Sequence, residues 1–145
     1  MNLVALGVCL QLAVAPEVTP VFITTDSFTL AWTHTIEKVR WEEDYRVLSD
    51  QQQAVLYAVS ARIKGSAAGM EPPPDAVLHN GWYHYEPQQV NPQVLLLTRS
   101  EFSPDYEWCD VSGCVPLSAK IPRDGGVTIL QACSRELTEI ESFRF

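Results

Sequence analysis

The chain has 145 residues, 46% of them apolar and 19% charged, and a net charge of -8. This is the composition of a globular chain long enough for one domain over 1–145 with a buried core, not of a disordered one. The acidic balance and the lack of any run of Lys or Arg argue against nucleic acid, and against docking on anionic lipid through a basic patch.

Residues 1–15 are mainly apolar, with Leu3, Val4, Leu6, Val8, Leu10, Leu12 and Val14. They read either as a first buried strand over 8–14 or as a vestigial export signal with a small-residue cut site at Ala13-Val14-Ala15. No basic residue precedes the run, Gln11 interrupts it and Pro16 follows it, which weakens the signal reading. The stretch is too short to cross a bilayer as a helix. Phe28, Leu30, Trp32, His34 and Ile36 then share one phase of a period-two pattern, which predicts a strand with one buried face. Trp41, Glu43, Tyr45 and Val47 alternate with Glu42, Asp44 and Arg46, and the two segments read as a hairpin closed near 37–40. Val55, Tyr57, Val59, Ala61 and Ile63 alternate again. Their β-branched and aromatic content favours a strand over a helix across 50–63.

The loop over 65–75 carries Pro72-Pro73-Pro74, which excludes helix or central strand. Residues 77–85 resume the strand pattern around the turn signal Asn80-Gly81. Residues 94–98 are continuously apolar up to Thr98 and read as a strand buried on both faces. A hairpin is expected from 106–109 and 115–117, and a strand over 127–133 follows the turn Asp124-Gly125-Gly126. Leu137, Ile140 and Phe143 mark a short amphipathic tail. Together the segments predict an all-β fold, an antiparallel β-sandwich or partly open barrel of about eight short strands.

Four cysteines permit two disulfides in three pairings. Cys109 and Cys114 flank a four-residue turn and form the favoured bridge, leaving Cys9 and Cys133 to tie the first strand to a late one; four free thiols are the alternative. A zinc site would need a second close pair, which is missing. Disulfides would place the protein in an oxidising compartment.

The residues able to carry chemistry cluster in two blocks, Trp32 to Tyr45 and Gly65 to Pro74. His34 is either a core histidine or a ligand. Glu37, Glu42 and Glu43 form an acidic run that is either a solvated rim or, through Glu42 with Glu71, a hard-cation site. Glu71 lies in a proline-stiffened loop, where it either contacts a partner or serves the fold by capping backbone amides or pairing with Arg40 or Lys38. Met70 either anchors that loop or presents a sticky surface. Trp82 opens an aromatic stripe, Trp82 to Tyr85, fit for stacking or for core. No nucleophile elbow and no glycine-rich phosphate loop is present. Catalysis is therefore not expected, and no cofactor is implied.

The segments Thr33-His34-Thr35-Ile36-Glu37-Lys38, Trp41-Glu42-Glu43, Gly65-Ser66-Ala67-Ala68-Gly69-Met70-Glu71-Pro72-Pro73 and Gly81-Trp82 resemble domain-of-unknown-function family 1850. Its pattern is His-Ser-Val-Glu-Lys, a Trp-Glu-Glu-like stretch and Gly-Ser-Gly-Ala-Gly-Met-Glu-Pro-Pro. Thr35-Ile36 and Ala67 depart from it here. The resemblance runs roughly from 28 to 133, and the Gly-Met-Glu-Pro-Pro loop is its most specific part. Members are encoded beside permeases of TAXI-type TRAP transporters, which import small carboxylates through an extracytoplasmic receptor.

The resemblance implies a non-enzymatic accessory protein whose partner is the TRAP permease or its solute receptor. Its contact surface would be Glu37, Glu71 and the loop over 69–74. The implied location is periplasmic, or the outer face of the cytoplasmic membrane, with the cytoplasm as the alternative. A second reading is a β-domain binding a small carboxylate or a divalent cation through His34, Glu42 and Glu71. A third is a hydrolase using His34 and a carboxylate.

Overall fold

The computed structural model describes residues 3–33, 38–65 and 73–136. Its strands are β1 (Val4–Leu12), β2 (Val21–Thr24), β3 (Ser27–Thr33), β4 (Arg40–Asp50), β5 (Gln53–Lys64), β6 (Val77–His79), β7 (Trp82–Tyr85), β8 (Leu95–Thr98), β9 (Glu107–Asp110), β10 (Gly113–Pro116) and β11 (Val127–Glu136). A 3-10 turn at Leu117–Ala119 precedes β11. The fold is all-β, two antiparallel sheets packed as a sandwich. One sheet runs β2-β1-β11-β8 and the other β10-β9-β3-β4-β5-β7-β6.

The described residues hold eleven strands rather than about eight. β2 accounts for part of the difference: it is four residues long, lies on a sheet edge and carries no strong alternation. β1 begins earlier than expected and stops at Leu12, leaving Val14 outside and 78% exposed. β8 is an edge strand with Leu97 buried and Leu96 64% exposed, so its run of leucines does not mean burial on both faces. The tail residues Leu137, Ile140 and Phe143 lie outside the described residues.

The core fills the space between the sheets. Val8, Leu10, Leu97 and Leu130 of the smaller sheet meet Phe28, Leu30, Val47, Leu56 and Trp108 of the larger. Phe28 stacks on Trp108 with ring centroids 4.5 Å apart and on Tyr45 at 5.2 Å. Such aromatic contacts add to the burial of apolar area that holds the layers together.

The turns follow from local backbone chemistry. Asn80 (φ 52°) and Gly81 (φ 83°) form the left-handed pair expected from the Asn-Gly signal between β6 and β7. Gln51 (φ 50°) and Gln52 (φ 70°) do the same between β4 and β5, without glycine or asparagine to announce it. Gly7 answers a different need. A Cβ there would lie 2.0 Å from the Ile23 carbonyl oxygen, so only glycine lets β1 and β2 approach this closely.

β5 departs from the expected phase. Asp44 pairs with Ser60 while the next residue, Tyr45, pairs with Ala58, so Val59 bulges out of the ladder. A one-residue bulge reverses which side chains point inward. Leu56 and Ala58 are buried before the bulge and Ala61 and Ile63 after it, while Val59 is 48% exposed. Val55, Tyr57 and Val59 are therefore not on the buried face, although uninterrupted alternation predicted that they would be.

Both disulfides form. Cys109 and Cys114 are direct cross-strand partners in the β9–β10 hairpin, with Cα atoms 4.0 Å apart. Cys9 and Cys133 bridge β1 and β11 diagonally, with Cα atoms 5.9 Å apart.

A fully buried cation closes the end of the sandwich. The Arg99 guanidinium donates to both carboxylate oxygens of Asp105 (2.9 and 2.8 Å), to the carbonyls of Pro122 (3.0 Å) and Ile121 (3.1 Å), and to the Thr128 hydroxyl (3.0 Å). One side chain thus fastens the end of β8, the approach to β9, the segment after the 3-10 turn, and β11.

Candidate functional site

The two sheets differ in width. Seven strands face four, and residues of β4, β5 and β7 meet Leu95 of β8, the edge of the smaller sheet, around one seam. The connection over 86–94 lies against the larger sheet there, and the Ala58 N–H donates to the Val90 carbonyl at 2.9 Å. Between connection and sheet remains a cleft of about 620 Å³. That is within the size range of small-molecule sites.

Tyr45 and Tyr85 form its aromatic wall, and Pro73, Pro74, Pro87 and Pro92 stiffen its rim. Glu43, Asp75 and Glu86 supply carboxylates, and no Lys, Arg or His stands among its described lining residues. Pro73 and Pro74 are the described end of the Gly-Met-Glu-Pro-Pro-Pro segment, so the most specific stretch of the sequence leads into the cleft.

Glu43 is the central polar group. It lies on the inner face of β4 because Leu30 and Ala61, its cross-strand partners, do. Tyr45 donates its hydroxyl to Glu43 Oε1 at 2.9 Å. Burial pushes the Glu43 carboxyl above the usual glutamate range, more than the Tyr45 hydrogen bond lowers it. Burial, and then the Glu43 charge, hold the Tyr45, Tyr85 and Tyr106 hydroxyls above the usual tyrosine value.

A carboxyl raised in the folded state favours folding below its unfolded pKa of about 4.3 and opposes it as pH rises through the folded value. Glu43→Gln is therefore expected to raise Tm by on the order of a few degrees near neutral pH and by much less under acidic conditions. Thermal melts of both proteins across pH test this. A gain independent of pH would show that the carboxylate charge is not the strained group.

Glu42, one residue away, points the other way. On the outer face of the larger sheet it accepts from Arg40 Nε and Arg62 Nε, both at 2.7 Å. Arg40 also pairs with Glu107, and Arg62 reaches Asp44 at 2.7 Å. Ser60 and Thr29 donate their hydroxyls to Asp44. Burial opposes ionisation of Asp44, but Arg62 and these two hydroxyls outweigh it and hold its carboxyl below the usual range. The network laces β9, β3, β4 and β5 in register as cross-strand pairs. Its arginines already occupy the Glu42 carboxylate that the cation reading would need.

Trp82 also lies on the outer face, with Lys64 Nζ 5.1 Å and Arg62 Cζ 6.0 Å from its ring centroid. It is a cation–π platform remote from the cleft lining. His34, Glu37, Met70 and Glu71 lie outside the described residues. Of the sequence-selected residues, Glu42 and Trp82 can therefore be placed, and both flank Arg62. The cleft residues Glu43, Tyr45 and Tyr85 fall within the candidate blocks and the aromatic stripe but were not singled out as site residues. Glu43 nevertheless carried a signal, since it shares its phase with Tyr45 and Val47.

Among the described residues no three His, Cys, Asp or Glu side chains gather as a metal site, and no helix is long and apolar enough to cross a membrane. The two disulfides belong with an oxidising environment.

Fold and cleft together define a disulfide-bonded β-sandwich with an acidic, tyrosine-walled groove at one seam. A family model described as "Domain of unknown function (DUF1850)" matches residues 28–117, more than half of the chain, and the protein belongs to that family. The matched span runs from β3 to the start of the 3-10 turn and includes every described residue that lines the cleft. Neither a curated protein nor a solved structure matches the chain.

Proposed function

We propose that the protein is a non-catalytic binding subunit that works at the periplasmic face of the cytoplasmic membrane, as an accessory to a TAXI-type TRAP carboxylate transporter. The observation that carries the binding role is the cleft between the larger sheet and the 86–94 connection. Its described lining offers tyrosines, prolines, carboxylates and amides, groups that suit recognition of a ligand. Membership of the family supports the transporter link through the resemblance set out above, and the disulfides support the compartment.

The test is affinity capture from detergent-solubilised membranes with the full chain as bait and every captured protein identified by mass. The expected result is recovery of a TRAP permease or its solute receptor. Recovery of neither would overturn the accessory role.

A further inference from the structure

We infer that the cleft holds an extended segment of a partner protein by seating one lysine or arginine side chain against Glu43 between Tyr45 and Tyr85. The inference rests on the binding role proposed above and adds the chemistry of what is bound.

Charge complementarity selects the occupant. The groove carries Glu43, Asp75 and Glu86 and, among its described lining residues, no positive group. A small carboxylate, the cargo of the linked transporter class, would meet like charge there. A guanidinium or ammonium would meet the opposite charge of Glu43 in a lining that also holds Tyr45 and the less buried Tyr85, a carboxylate with aromatic rings being the pairing that recognises organic cations.

The Glu43 carboxylate supplies the reason. It is half-buried, and its one hydrogen-bond donor among the described contacts is the neutral Tyr45 hydroxyl. The charged groups on the opposite face of β4 show the contrast: Glu42 has two arginines and Asp44 has one with two hydroxyls. A partly desolvated carboxylate without a cation is costly, and an incoming cation removes that cost.

The volume favours a residue within a peptide over a free amine. About 620 Å³ exceeds what one amine or one side chain fills, which leaves room for flanking backbone. The rim prolines give a stiff border against which that backbone can lie with little ordering entropy.

The test uses the full disulfide-bonded chain and hexapeptides that differ only at a central position, arginine, lysine, glutamine or glutamate, in an alanine-glycine background. Binding is read from NMR shifts of the Tyr45 and Tyr85 rings, with agmatine as the small-amine comparison. Arginine and lysine peptides are expected to bind, the glutamine peptide about tenfold more weakly and the glutamate peptide undetectably. Glu43→Gln, which is expected to fold at least as well as the natural chain, should lose the preference for arginine over glutamine.

Equal binding of the arginine and glutamine peptides would overturn the inference. So would a Glu43→Gln protein that keeps the preference, or agmatine binding as tightly as the arginine peptide. The two proposals fail separately. Peptide binding without capture of a transporter component defeats the transporter link alone, and capture that Glu43→Gln leaves intact defeats this use of the cleft alone.

Discussion

Asp105→Asn is expected to lower stability by about 3–5 kcal/mol, the usual cost of stranding a buried charge. The Arg99 side chain is 0% exposed and that of Asp105 9%, so water cannot replace the lost carboxylate. For a chain of this length the loss corresponds to a fall in Tm on the order of ten degrees. Replacing Arg99 with Met in the same protein should recover part of it, because no buried charge then remains.

The pH dependence has a definite sign. Burial works against the Asp105 carboxylate, but the Arg99 guanidinium, the Tyr106 N–H and the Arg123 charge hold it below the usual aspartate range. Its contribution is therefore present above the unfolded pKa of about 3.9 and is lost as pH falls through the depressed folded value. Denaturant melts of the natural chain and Asp105→Asn should converge as the medium becomes strongly acidic. A difference of under about 1 kcal/mol at neutral pH would contradict the buried pair, since that is the range of an exposed one.

Replacing Cys9 and Cys133 together with alanine is expected to cost about 2–5 kcal/mol. The bridge joins positions 124 apart in sequence, and its loss frees nearly the whole unfolded chain from a constraint. The matching change at Cys109 and Cys114 should cost less, because that bridge spans only 5 positions and the β9–β10 turn already brings them together. Denaturation midpoints of the two variants, with and without reductant, measure the difference. Equal losses would show that native contacts rather than chain closure set the value of each bridge.

The two bridges also show how far the sequence could be read. The short Cys109–Cys114 spacing around a turn is a local fact, and the pairing of the remaining cysteines follows from it. The hairpin of β3 and β4, the Asn80-Gly81 turn and the strand character of β5 were legible for the same reason. Each rests on neighbours within a dozen residues. The Gln51-Gln52 turn was not legible, because two glutamines adopt left-handed geometry there only under the pull of the strands they join. β8 misled because a short apolar run looks the same on a sheet edge as in a sheet centre.

The site was legible only in part. Glu42 and Glu43 are adjacent and chemically alike, and the sequence reading selected Glu42. Alternation already placed them on opposite faces, since successive side chains of a strand point in opposite directions. What alternation lacks is the content of each face. Arg40 and Arg62 reach Glu42 from β4 itself and from β5, across a pairing that exists only in the folded sheet.

The sequence by itself determined that this protein is an all-β sandwich or barrel with cysteines suited to two bridges. Period-two patterning, turn residues and cysteine spacing are properties of short stretches of chain. Only the tertiary structure decided where the cleft lies. It forms where β4, β5 and β7 of one sheet, the edge of the other and a proline-bearing connection come together, and no local pattern encodes how two sheets are set against each other.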